Sequence, residues 1–106
     1  MINYKIIIKE SFEQKLWNDV DWYNERQQGL GEKLLHDVYE TMELIAKNPF
    51  AFRRSLYETR ECVLSVFPYI IVYEIEHETT IVIYKLFPTR NHPRKKFKIH
   101  SRKKRR

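Results

Sequence analysis

Glycine is nearly missing from this 106-residue chain: Gly29 and Gly31 are the only two. A phosphate-cradling loop needs several closely spaced glycines leading into a helix, so that chemistry is excluded. One cysteine, Cys62, rules out an intramolecular disulfide. The four histidines, His36, His77, His92 and His100, are scattered, and with Cys62 they form no metal-binding spacing. Neither an HExxH sequence nor a serine triad is indicated. No stretch approaches the roughly 18 apolar residues of a membrane span. Met1 to Lys5 lacks a basic leader followed by an apolar segment, so no signal peptide is expected. These absences point to a protein of the reducing cytoplasm with no metal, no cofactor and no membrane association. Cys62 lies in an apolar strand pattern and is expected to be buried filler.

What is present is unevenly charged. Residues 1–87 hold 10 Lys/Arg against 14 Asp/Glu, whereas residues 88–106 hold 10 Lys/Arg and no acid. The net charge of +6 is therefore a property of the last fifth of the chain. Such a block attracts polyanions or an acidic protein surface and need not fold alone. The expected organisation is one domain over residues 1–97, followed by a basic tail over 98–106.

Hydrophobic periodicity places the elements. Tyr4 to Lys9 is rich in β-formers, with Tyr4, Ile6 and Ile8 on one side. Ser11 and Gln14 have capping-box spacing, and Phe12, Leu16, Val20 and Tyr23 follow at helical intervals. Trp17 and Trp22 fall off that stripe. Gln28-Gly29-Leu30-Gly31 breaks the helix and suits a tight helical hairpin. The second helix, about 31–47, carries Leu34, Leu35, Val38, Tyr39, Met42, Ile45 and Ala46 on one broad face, and Asn48-Pro49 stops it. The period then switches to two. Cys62 to Phe67, Ile70 to Ile75 and Ile81 to Phe87 read as antiparallel strands joined at Pro68-Tyr69 and Glu76 to Thr80. The predicted fold is α+β: an N-terminal strand, a two-helix hairpin on one face, then a three-stranded antiparallel sheet.

Several pieces of this pattern look familiar together. They are the first strand, Trp22-Tyr23 with Gly29-Leu30-Gly31, and Asn48-Pro49-Phe50. They continue with Arg60 before an apolar strand, Phe67-Pro68-Tyr69-Ile70-Ile71-Val72-Tyr73, and Arg90-Asn91-His92-Pro93 after the last strand. In this order they resemble the RelE/ParE toxins of bacterial type II toxin–antitoxin systems, over residues 4–97. The resemblance implies a toxin neutralised in a hetero-oligomer by a cognate antitoxin whose C-terminal segment wraps it. It implies one of two targets. RelE-like members are ribosome-dependent endoribonucleases acting on messenger RNA, and ParE-like members inhibit DNA gyrase without cutting nucleic acid themselves.

Chemistry separates the two. Metal-free RNA cleavage needs cations to stabilise the transition state and an acid–base pair. Carried over, the RelE pattern puts catalytic arginines at Arg60 and Arg90, with Arg53 at a basic loop position. Its terminal tyrosine would fall near Lys96 or Phe97, neither of which supplies a phenol. His92 and His100 are the available substitutes. The missing phenol, the arms of about 17 residues and the Gly-Leu-Gly turn favour the ParE-like, non-enzymatic reading. Arg60 could equally serve the fold by pairing with Glu58, Glu61 or a helix acid. Arg53, Arg90, Arg94, Lys95, Lys96 and Lys98 are the candidate contacts to target or nucleic acid. Trp17, Trp22 and Leu44, off the core stripes, are the candidate antitoxin surface, though wide core faces would also explain them. A third reading, a non-toxic nucleic-acid-binding module, rests on Lys95 to Lys98 and Arg102 to Arg106. Only Phe97 interrupts those runs as a stacking aromatic.

Overall fold

The computed structural model describes residues 3–89. Its elements run β1 (Lys5–Ile8), α1 (Glu10–Arg26), α2 (Leu30–Lys47), a short 3-10 turn (Pro49–Ala51), β2 (Arg53–Arg54), β3 (Thr59–Val63), β4 (Tyr69–Glu76) and β5 (Thr80–Pro88). The fold is α+β as predicted, but the sheet has five strands, in the order β1-β5-β4-β3-β2. β1 joins it parallel to β5, Ile6 opposite Ile81 and Ile8 opposite Ile83, while the other neighbours are antiparallel. Two-residue β2 carries too little periodicity to be seen in sequence, and β1 finds β5 across the whole chain.

The start of α1 differs from expectation. Lys9 is the N-cap and makes no side-chain cap bond, so Ser11 lies inside the first turn. Glu10 and Glu13 in that turn complement the exposed N–H groups and the helix dipole instead. Gln14 reaches back to Glu10 at 3.2 Å. α2 begins from Gly29, whose φ of +89° suits a residue without a Cβ. The Glu76–Thr79 turn between β4 and β5 has left-handed residues at both central positions, His77 and Glu78, as a tight primed hairpin turn requires.

One core forms between the helices and one sheet face. Phe12, Leu16, Val20 and Tyr23 of α1 and Leu34, Val38, Met42 and Ile45 of α2 meet Tyr69, Ile71 and Tyr73 of β4 and Ile81, Ile83 and Leu86 of β5. Cys62 is buried there, and burial pushes its thiol up. Tyr39, placed on the stripe by periodicity, is exposed. β3 ends at Val63, short of the predicted Phe67, because residues 64–68 form the turn into β4.

Each helix is also tied to that turn by a buried aspartate, a feature invisible to periodicity. Asp19 of α1 accepts from the Tyr69 hydroxyl and pairs with Lys15 at 2.9 Å. Asp37 of α2 accepts the backbone N–H groups of Val66 at 3.0 Å and Phe67 at 2.7 Å. The Phe67-Pro68-Tyr69 corner is thus held from both helices.

Deeper in the core, Tyr73 donates its hydroxyl to the Pro49 carbonyl. Burial pushes its phenol up to about 12, against some lowering by the Arg60 charge. A folded-state value above the unfolded one, near 10, contributes stability that is complete below pH 10 and is lost as pH rises through 12. Urea titrations from pH 8 to 12 should therefore show falling stability across that window, with a shallower fall in Tyr73→Phe. Equal slopes for the two proteins would remove Tyr73 as the cause.

Candidate functional site

Alternation along β4 turns Ile70, Val72 and Glu74 away from the helices, onto the opposite sheet face. The register places Thr59, Glu61 and Val63 of β3 and Lys85 and Phe87 of β5 beside them. No element among the described residues covers this face. It forms an open cleft of about 810 Å³, floored by Ile70, Val72 and Phe87 and walled on one side by the hairpin Ser55 to Glu58. Three carboxylates, Glu58, Glu61 and Glu74, line it against two cations, Arg53 and Lys85. A polyanion laid here would meet more like charge than opposite charge. Tyr84 also lines the cleft, with Lys9 5.7 Å from its ring centre. Its phenol is pushed up by burial and by the neighbouring Glu74 carboxylate, to which it hydrogen-bonds.

The two arginines nominated before the strands do not converge. Arg53 pairs in register with Glu61, and its guanidinium lies 3.5 Å from that carboxylate. Arg60 is one step out of phase, opposite Tyr73 of the core face. Its guanidinium donates to the carbonyls of Phe50 at 3.1 Å and Phe52 at 2.8 Å and lies over the Phe50 ring. Arg60 thus straps the segment after α2 to the sheet. The ion pairs anticipated for it form elsewhere: Glu61 meets Arg53, and Glu58 meets Arg54 at 3.7 Å. One guanidinium nitrogen, Nη1, makes both carbonyl bonds, so this side chain is anchored by the fold.

The candidate antitoxin residues separate by burial. Trp17 is 50% exposed on the outside of α1, beside Glu13, Gln14 and Asn18. Leu44 on α2 is 49% exposed. Trp22 packs against the core, edge-on to Tyr23 at 5.0 Å, with the Arg26 guanidinium 3.7 Å from its ring centre. Trp17 and Leu44 are surface groups and Trp22 is largely a packing residue. Arg90, His92, Arg94, Lys95, Lys96 and Lys98 lie outside the described residues. Sequence reasoning missed Leu56 and Tyr57, which stand at the tip of the hairpin bounding the cleft and are 75% and 91% exposed. Two large, mainly apolar residues between Ser55 and Glu58 in a polar loop were the available signal.

A family model described as the ParE toxin of the type II toxin–antitoxin system parDE matches residues 6–93. Comparison with curated protein sequences returns no match. Among solved structures, the chromosomal ParDE system from P. aeruginosa contains a chain that superposes with a TM-score of 0.72 at 16% identity. That match covers 82% of this chain and 97% of the other. The intact E. coli RelBE toxin–antitoxin complex gives 0.58 at 12% identity, covering 81% and 96%. The isolated E. coli RelE toxin gives 0.50 at 15%, covering 92% and 97%.

Proposed function

The chain belongs to the ParE toxins of type II toxin–antitoxin systems, and from that premise we propose that it arrests growth in the cytoplasm by poisoning DNA gyrase. It is the toxin half of its pair and has an antitoxin as partner. The observation that carries the choice of target is the use made of Arg60. Metal-free RNA cleavage asks for free cations around the scissile phosphate. Here one guanidinium nitrogen of Arg60 is tied to the Phe50 and Phe52 carbonyls, and the helix-free cleft is lined by more carboxylates than cations. Both features support inhibition through protein contact over phosphodiester chemistry. The complex with antitoxin is a hetero-oligomer in which Trp17 and Leu44 contribute apolar surface. The basic residues Arg90, Arg94, Lys95, Lys96 and Lys98 contact the target or the DNA it holds.

The test is direct. Purified toxin added to gyrase and plasmid should block supercoiling and accumulate cleaved DNA covalently attached to gyrase, while translated messages stay intact. Arg60→Ala should lower stability by about 1–2 kcal/mol through the loss of two carbonyl contacts. It should leave any residual folded fraction active. Mapped cuts in messenger RNA that disappear in Arg60→Ala, with gyrase unaffected, would reverse the assignment.

A further inference from the structure

Two of the three most exposed large hydrophobic side chains of the described residues, Leu56 and Tyr57, are neighbours at one hairpin tip, where core packing does not explain them. The third, Val66, stands in the turn into β4. Tyr57 is 91% exposed and its backbone is left-handed, φ +58°. An L residue with a bulky side chain adopts that region under strain, whereas glycine enters it freely. The other left-handed residues with side chains, His77 and Glu78, are accounted for by their hairpin turn and are polar. Tyr57 and its neighbour Leu56 are mainly apolar and uncovered among the described residues.

The tip is nonetheless held firmly. The Ser55 N–H donates to the Thr59 carbonyl at 2.8 Å, and the Thr59 N–H donates to the Leu56 carbonyl at 3.1 Å. The Ser55 hydroxyl donates to Glu61 at 2.7 Å, and the Thr59 hydroxyl donates to the Leu56 carbonyl. Arg53–Glu61 and Arg54–Glu58 pairs close the flanks, leaving the tip without net charge. A rigid, electrically neutral aromatic–aliphatic knob is poorly suited to phosphates. It is well suited to an apolar socket, where a tyrosine gives large contact area at small ordering cost. Sockets belong to folded surfaces.

We propose that the Leu56–Tyr57 tip is the element with which this toxin grips its protein target, inserting into an apolar socket on that target's folded surface. The naming of the target as gyrase rests on the functional reading above. The contact itself does not.

The experiment compares wild type, Tyr57→Gly, Tyr57→Phe and Leu56→Ser, each as the full chain. Four quantities are measured: growth arrest on induction, gyrase–DNA adducts, affinity for the cognate antitoxin, and melting temperature. Tyr57→Gly relieves the backbone and should raise the melting temperature by about 4 °C. It should also weaken target inhibition by about 30-fold or more, the effect of losing a binding hot spot. Antitoxin affinity should stay within about twofold, a change below 0.5 kcal/mol. Tyr57→Phe should stay toxic. Leu56→Ser, at a residue without a left-handed backbone, should lose toxicity as Tyr57→Gly does. Full growth arrest by both Tyr57→Gly and Leu56→Ser overturns the proposal. So does weakened antitoxin binding with undiminished toxicity, which would assign the tip to the antitoxin. Wild-type arrest without gyrase adducts would sink only the identity of the target, since the growth comparison still reads the tip.

Discussion

Replacing Asp37 with alanine should cost about 3–4 kcal/mol of folding free energy, the sum expected for two charge-assisted hydrogen bonds left unmade. The carboxylate lies on α2, 2% exposed, and one oxygen takes the N–H groups of Val66 and Phe67. Alanine leaves the buried Phe67 N–H and the part-buried Val66 N–H without their acceptor. The other oxygen, Oδ1, has no partner among the described residues. Asp37→Asn should therefore be milder, since its amide oxygen can still face the two N–H groups. Urea unfolding of the three proteins should rank them wild type, Asn, Ala. A loss below 1 kcal/mol for alanine would mean that water reaches the corner and the turn is not held from α2.

That aspartate also marks where sequence reasoning stopped. Apolar spacing revealed both helices and the three longer strands, because a stripe is a local property of ten or so residues. An acid within a helix reads as solvent-facing by default. Only the nearby turn, about thirty positions away in sequence, gives Asp37 its donors. The same limit explains β1: its isoleucines announced a strand, but its parallel pairing with β5 spans more than seventy residues.

The candidate site was legible in kind and less so in place. Arg60 stood out as a lone arginine before an apolar strand, yet one step of register turns it toward the Phe50 and Phe52 carbonyls and away from the cleft. Parity along a strand decides such a question, and β3 begins three residues before its apolar run, at Thr59. Trp17 and Trp22 looked equivalent off the α1 stripe. The structure separates them because Trp22 adjoins Tyr23 and is covered by Arg26, whereas Trp17 faces outward among polar neighbours. The strained tip at Tyr57 depends on a backbone angle, which composition does not encode.

The helical hairpin yields the second large effect: Gly31→Ala should destabilise the fold by about 3 kcal/mol, the upper range for forcing a methyl group into a packed contact. Here the reason for glycine is distance, and left-handed backbone plays no part. A Cβ at position 31 would stand 2.4 Å from the Val20 carbonyl oxygen and 2.6 Å from Asn24 Nδ2. The carbonyl belongs to α1 and cannot swing aside, so the helices must part. Separation also breaks the bond from the Gly31 N–H to Asn24 Oδ1, 2.7 Å long. Gly29→Ala faces empty space and loses only the ease of its left-handed turn, about 1 kcal/mol. The two glycines, alike in sequence, should thus differ about threefold in cost. Thermal melts would decide it. Equal shifts for both variants would show that the hairpin tolerates a wider crossing, and that the close approach of α1 and α2 is not what fixes the helices on the sheet.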